Sequence, residues 1–416
     1  MTNRKRQIHN NPLSPQTVLL IILVLACSLL PAIEPVNTFP RLPTPTGLDP
    51  ESCRPCHSEK YESYIKTAHY KTSSLPSDET VRGSLIEGRN ILRTRNPNTY
   101  FKVEKREDSF FQIAHWRVDS ALAPFRSRRE QIAVVVGAGV EGQSYLYWKN
   151  GFLYQLPVSY FSGIDEWVNS PGFPDGEVFF ERPVTPRCLE CHGTYFELEG
   201  TIQQPRYRDN YQLGIACWKC HGDGGPHIAK YTSDTPIEPA QDIVNPAKLP
   251  PPRQLDICAL CHSGVGQEKR LNFTFRPGQD LSTYLHRNPT ASGEQVEEPG
   301  GWLANKLFGQ SKCFTDSEGA TCSTCHEVHL PESDLATMSR KCQQCHEPAH
   351  CALSDTIQAR FEDLCVDCHM PDQASRRLRV HRTDETLSPL YRNHRIAIYP
   401  DATDAVLRRL SQTPEG

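Results

Sequence analysis

Seven times along the chain, two cysteines stand three positions apart with a histidine directly after the second. The sets are Cys53, Cys56 and His57; Cys188, Cys191 and His192; Cys217, Cys220 and His221; Cys258, Cys261 and His262; Cys322, Cys325 and His326; Cys342, Cys345 and His346; and Cys365, Cys368 and His369. With only 16 histidines in 416 residues, seven hits in seven are not coincidence. At this spacing two thiols add across the two vinyl groups of one haem, and the next imidazole is placed under the iron. Structural zinc sites combine two Cys-x-x-Cys pairs per metal, and seven is odd. A dithiol redox motif occurs once, without a fixed following histidine. The sequence therefore predicts seven covalently bound haem c groups, with fourteen cysteines as attachment points and seven histidines as proximal iron ligands.

Composition agrees. Only 38% of the residues are hydrophobic and only three are Met, so porphyrin faces are expected to replace part of an aliphatic core. Seventeen cysteines are too many for a reducing cytosol unless a metal or cofactor holds the thiols. A formal charge of −4 lacks the basic excess of a nucleic-acid binder, so no nucleic-acid partner is expected.

Arg4, Lys5 and Arg6 precede an apolar run from Val18 to Leu30, and residues 1–33 read as a signal peptide or an N-terminal membrane anchor. Cys27 leaves lipid attachment as a third reading. Each of these puts the haem region in the periplasm or elsewhere outside the cytoplasm, where the segment, if uncleaved, would hold it to the membrane. Residues 34–50, rich in proline, read as a stiff linker, and 51–95 as the first haem segment. Residues 96–165 read as an inserted antiparallel β meander. There Tyr145–Trp148 and Phe152–Tyr154 flank Asn150-Gly151, a two-residue hairpin signal. The second and third haems fall in 166–231, a linker in 232–253, and haems four to seven with a ligand-bearing tail in 254–416. The fold class expected is mainly α: short helices and loops packed on haem, plus the small β insertion.

A closed low-spin iron needs a second axial ligand. Only Met338 and Met370 remain as methionines beyond the initiator, so histidine must supply most of them. His9 lies on the wrong side of the export segment. His227, His329 and His350 follow their own proximal histidines by six, three and four residues. They cannot easily reach the far face of their own haem, so each should cross to a neighbour's iron. His69, His286, His381 and His394 complete seven candidates for seven irons. His115 lies in a predicted strand and reads as an ordinary strand residue. Cys313 and Cys351 are left over and are expected to form a disulfide.

The chain resembles the multihaem cytochromes of the cytochrome c-554 type. The matching stretches are Cys53-Arg-Pro-Cys-His57 with Tyr61 and Lys66-Thr-Ala-His69, and Cys217-Trp-Lys-Cys-His-Gly-Asp-Gly-Gly-Pro-His227. Further matches are Cys322-Ser-Thr-Cys-His-Glu-Val-His329, Cys365-Val-Asp-Cys-His-Met-Pro371 and Asn393-His394-Arg395-Ile396. The resemblance implies a mainly helical, haem-cored fold with haems in parallel and perpendicular stacks. It also implies distal ligation by His69, His227, His329 and His394. The tetrahaem members lack three of these haems and the β-rich insertion.

Two functions are open at this stage. One is electron carriage through closely packed, mostly bis-His haems in a respiratory chain, between redox partner proteins. The other is oxidation or reduction of a small nitrogen or sulfur compound at one haem with an open face. No Cys-x-x-Cys-Lys variant marks a catalytic haem, and no individual residue is singled out as catalytic.

Overall fold

The computed structural model describes residues 49–118, 124–201, 203–233, 243–264, 266–286, 304–317, 319–331, 334–347, 350–353, 364–376, 378–383 and 385–412. The export segment 1–33, nearly all of the 34–50 linker and the middle of the 232–253 linker lie outside these. So do Cys27 and His9. No helix among the described residues is long and apolar enough to cross a membrane.

Period-two alternation builds the front half. Thr99–Arg106 and Ser109–Trp116 pair antiparallel along their whole length, Thr99 opposite Trp116 and Arg106 opposite Ser109. Phe101 and Val103 turn inward, whereas Tyr100, Lys102 and Glu104 turn outward. With Ile91–Arg93 and Arg126–Gln131 they form a four-stranded sheet in sequence order.

A second, nine-stranded sheet runs Ser73–Ser74, Val134–Val136, Gly142–Lys149, Val158–Phe161, Glu166–Asn169, Val380–Arg382, Glu385–Leu387. Phe152–Gln155 pairs with Gly142–Lys149 and carries Arg182–Pro183. Asn150 (φ 54°) and Gly151 (φ 78°) make the left-handed two-residue turn that joins the first pair. The two sheets share a core that includes Phe101, Phe110, Tyr145, Tyr147, Trp167 and Phe180.

The last two strands of that sheet come from the C-terminal tail. Asn169 pairs with His381, and the Arg95 guanidinium donates to the Thr383 carbonyl.

The expectation of a mainly α chain is overturned: the structure is 29% helix and 28% strand, with several antiparallel sheets. Helices at the attachment motifs are short, as in Pro186–His192, Trp218–His221 and Cys365–His369. Directly after His192, Gly193–Thr201 and Gln204–Leu213 form a hairpin where the sequence reading expected helices and loops. Register shifts at Gly193/Tyr195 and at Phe196/Leu198 break the alternation that would have disclosed it. Its aromatic residues Tyr195, Phe196 and Tyr207 pack with Leu153, Leu189 and Trp218, tying the β sheets to the motif segments.

Toward the C-terminus the apolar core thins. A small cluster with Leu260, Phe275 and Tyr284 surrounds the helix Pro251–His262. Farther on, among the described residues, Leu364 and Val406 form a small buried cluster that joins the last helix, Pro400–Gln412, to the final motif segment. Aliphatic burial of that extent cannot by itself order such a segment.

Candidate haem sites

The motifs are numbered here as sites 1 to 7 in chain order. Four proximal imidazoles face a second imidazole from a distant segment. His57 of site 1 faces His227 with ring centroids 6.4 Å apart, and His221 of site 3 faces His329 at 6.0 Å. His262 of site 4 faces His69 at 6.0 Å, and His326 of site 5 faces His394 at 6.2 Å. Two imidazoles bound on opposite sides of one metal, each at about 2 Å, hold their ring centres about 6 Å apart. The spacing therefore fits an iron between each pair, and it is too wide for direct ring stacking.

Hydrogen bonding fits the same group. A ligating imidazole must present a lone pair, which a donor bond from its other nitrogen secures. Nδ1 of His221 donates to the Val244 carbonyl at 2.9 Å, and Nδ1 of His369 to the Ala397 carbonyl at 2.9 Å. His394 donates to the Arg392 carbonyl, and Nδ1 of His192 is hydrogen-bonded with the Thr72 hydroxyl, both at 3.1 Å. In each case Nε2 is left to coordinate. Nδ1 of His227 is buried without a partner, so that ring holds unspent polar capacity inside the chain. These acceptors lie 2 to 120 residues from their histidines; the long-range ones carry no local signal in the sequence.

His69 stands among protein atoms, and burial together with the neighbouring His262 and His326 pushes its pKa down to about 4. Yet its surface is largely open. The two facts agree if the ring projects into a hollow within the protein, as a distal ligand would. His69→Ala is therefore expected to convert the haem at site 4 from low-spin to high-spin, read in the visible spectrum. An unchanged low-spin spectrum in that variant would contradict this.

The sulfurs of different sites also meet. Cys53 lies beside Cys217, Cys191 beside Cys261, Cys258 beside Cys322, and Cys342 beside Cys365. The Cys325 thiol is pushed up by burial and by Cys313 and Cys345, which brings site 5 beside site 6. Sites 1–3, 2–4, 4–5, 5–6 and 6–7 thus adjoin through their attachment points.

The other sequence candidates are not brought to an iron position in this way. Among the described residues no second imidazole stands in ring contact with His192, His346 or His369. His286 ends a two-residue strand paired to Gln267, and the amide of His350 donates to the Glu347 carbonyl. His381 lies in the large sheet with its Nδ1 against the Thr386 hydroxyl. His115 stacks on Tyr100 at 4.7 Å. Cys313 and Cys351 are both free: Cys313 lies toward Cys325 and Cys345, Cys351 toward Cys368, so the expected disulfide is absent.

Residues 178–222, which contain sites 2 and 3, match the family described as cytochrome c554 and c-prime. The outer cell wall cytochrome OcwA shares the fold with a TM-score of 0.52 at 16% identity, over 85% of this chain and 80% of that one. An undecahaem cytochrome from the S-layer of Carboxydothermus ferrireducens aligns at 14% identity over 86% of this chain and 55% of that one, with a TM-score of 0.37. No curated protein matches the chain. The repeated motif, the family match over two of its copies and the shared fold make this chain a multihaem c-type cytochrome.

Proposed function

We propose that the chain is an exported heptahaem cytochrome that carries electrons between redox partner proteins of a respiratory chain. The observation that carries the reading is the interlocking of sites: His69, His227 and His329 each leave the segment of one site to face the proximal histidine of another. Bound haem supplies one-electron cycling between Fe(III) and Fe(II). The chain's own part is to hold the attachment points so that each adjoins another and to close most irons with a second imidazole. The proposed ligand set is the seven proximal histidines with His69, His227, His329 and His394. His286, His350 and His381 are offered for the three sites that lack a facing ring. An extracytoplasmic location agrees with the cysteine chemistry and with the outer cell wall location of OcwA; the donor and acceptor would dock at exposed haem edges.

Intact mass of protein matured in a competent host should carry seven haems, and its EPR spectrum should be dominated by low-spin iron. His394→Ala is expected to convert one haem equivalent, at site 5, to a high-spin form that binds CO. His115→Ala should leave all the spectra unchanged. A mass without seven added groups, or equal behaviour of the two variants, would overturn the assignment.

A second reading is favoured by His192, which is surrounded by protein and anchored by Thr72 but faces no second imidazole among the described residues. An iron there with an open face would suit turnover of a small nitrogen or sulfur compound. High-spin signal in the unmodified protein, with rapid binding of CO or nitrite, would favour it over the carrier reading. Wholly low-spin iron that binds neither would remove it.

A further inference from the structure

Site 2 contains a buried ion pair that haem attachment alone does not require. Glu190, between Cys188 and Cys191, is 0% exposed, and Arg187, just before the motif, is 6% exposed. Glu190 Oε2 accepts from Arg187 Nη1 at 2.9 Å and from Asn272 Nδ2 at 3.0 Å. Its Oε1 accepts from the Phe273 amide at 2.6 Å and from the Tyr284 hydroxyl. The carboxylate is thus fully satisfied. Arg187 Nη2 reaches across to the Leu260 carbonyl at 2.6 Å. Leu260 sits between Cys258 and Cys261 of site 4, and the Cys261 and Cys191 thiols touch at the same joint. Arg187 Nε is buried there without a partner.

A buried pair is a poor choice if stability alone is wanted, because taking two ions out of water offsets their attraction and apolar side chains of similar volume pack as well. Its place at the joint between two sites points to another use. We propose that the Arg187–Glu190 pair is the positioning element of the junction between sites 2 and 4, and that its balanced charges set the potential of the iron at site 2. The inference rests on the electron-carrier reading. The clamp acts through Leu260, which holds the site 4 motif against the site 2 motif. The field acts because Arg187 favours the reduced iron by its positive charge and Glu190 opposes it at close range in a medium that screens little.

The test is a redox titration and flash-reduction series on the full holoprotein. Glu190→Gln should move one wave of the titration to higher potential, and Arg187→Gln should move the same wave to lower potential, with seven haems retained in mass. Arg187→Lys keeps the cation but loses the fork that holds Leu260. It should leave that wave near its original position and lose the fast phase of internal electron equilibration for one haem equivalent. The double variant Arg187→Met with Glu190→Met removes both charges without leaving an unpaired ion, though it frees the donors of Asn272, Phe273 and Tyr284. It is read where seven haems are retained in mass, and Arg187→Lys, which keeps the ion pair, carries the kinetic test otherwise. It should lose the same fast phase with little shift in potential. Two single variants that move no wave, or move it the same way, would reduce the pair to packing. A double variant with unchanged kinetics would dispose of the positioning role. Wild-type protein that lacks haem at Cys188 and Cys191 would instead sink the underlying carrier reading.

Discussion

Replacing Cys217 and Cys220 together by serine is expected to prevent the front half of the molecule from accumulating in folded form. Site 3 is a crossing point. Cys217 meets Cys53 of site 1, His221 faces His329 from the site 5 segment, and His227, a few residues on, faces His57. Trp218 inside the motif is buried against Tyr195. Without the attached group, His221 and His329 lose their common iron and the slot between them stands empty. Binding free energy of a structural centre is folding free energy, so the loss should be about 5 kcal/mol or more. That is comparable to the whole stability of an ordinary domain. The measurement is the yield of protease-resistant, haem-bearing protein. The matching change at Cys342 and Cys345 serves as comparison, because site 6 lies where little apolar core surrounds it. That variant should lose one haem yet keep the near-ultraviolet dichroism of the Tyr145–Trp167 core. A six-haem protein of normal yield from the site 3 variant would show that the crossing is dispensable.

Gly214→Ala is the second large effect. Gly214 has φ +65°, and a Cβ there would be driven into the Tyr70 carbonyl oxygen. The residue is held on three sides: its amide donates to the Ser73 hydroxyl, its carbonyl accepts from Thr194, and the next amide, of Ile215, donates to the His69 carbonyl. It therefore sets the spacing between the segment that presents His69 to site 4 and the chain entering site 3. The left-handed backbone costs about 1 kcal/mol and the clash with fixed backbone adds more, for a total of about 3 kcal/mol. Unfolding should begin roughly 3–4 °C lower, with loss of the low-spin signal at site 4 ahead of the others. Gly88→Ala is the control, since its φ is +86° but nothing stands within 4 Å of its added Cβ. Equal behaviour of the two variants would mean that strain alone matters and the close approach to Tyr70 does not.

The haem chemistry was readable because it is local. Thioether attachment needs two cysteines at fixed spacing with a histidine next to them, and a five-residue string records that completely. The hairpin at Asn150-Gly151 was readable for the same reason, since the turn demands residues that tolerate left-handed backbone. The hairpin at Gly193–Leu213 was not, because two register shifts scramble its alternation. Crossing by His227 and His329 followed from reach: neither is far enough from its own proximal histidine to loop back. Which iron each would face did not follow, and the disulfide expected between Cys313 and Cys351 failed because nothing local says which segments lie side by side.

The amino-acid order alone pointed to haem c as the prosthetic group and to histidines that cross between segments, both of them matters of reach over a few residues. Only the tertiary structure decided which sites adjoin, that the tail strand with His381 completes a sheet begun some three hundred residues earlier, and that Glu190 is locked to Arg187 beneath site 4. Those outcomes depend on packing between stretches far apart in the chain, where burial and hydrogen-bond satisfaction choose among many pairings that the local residues leave equal.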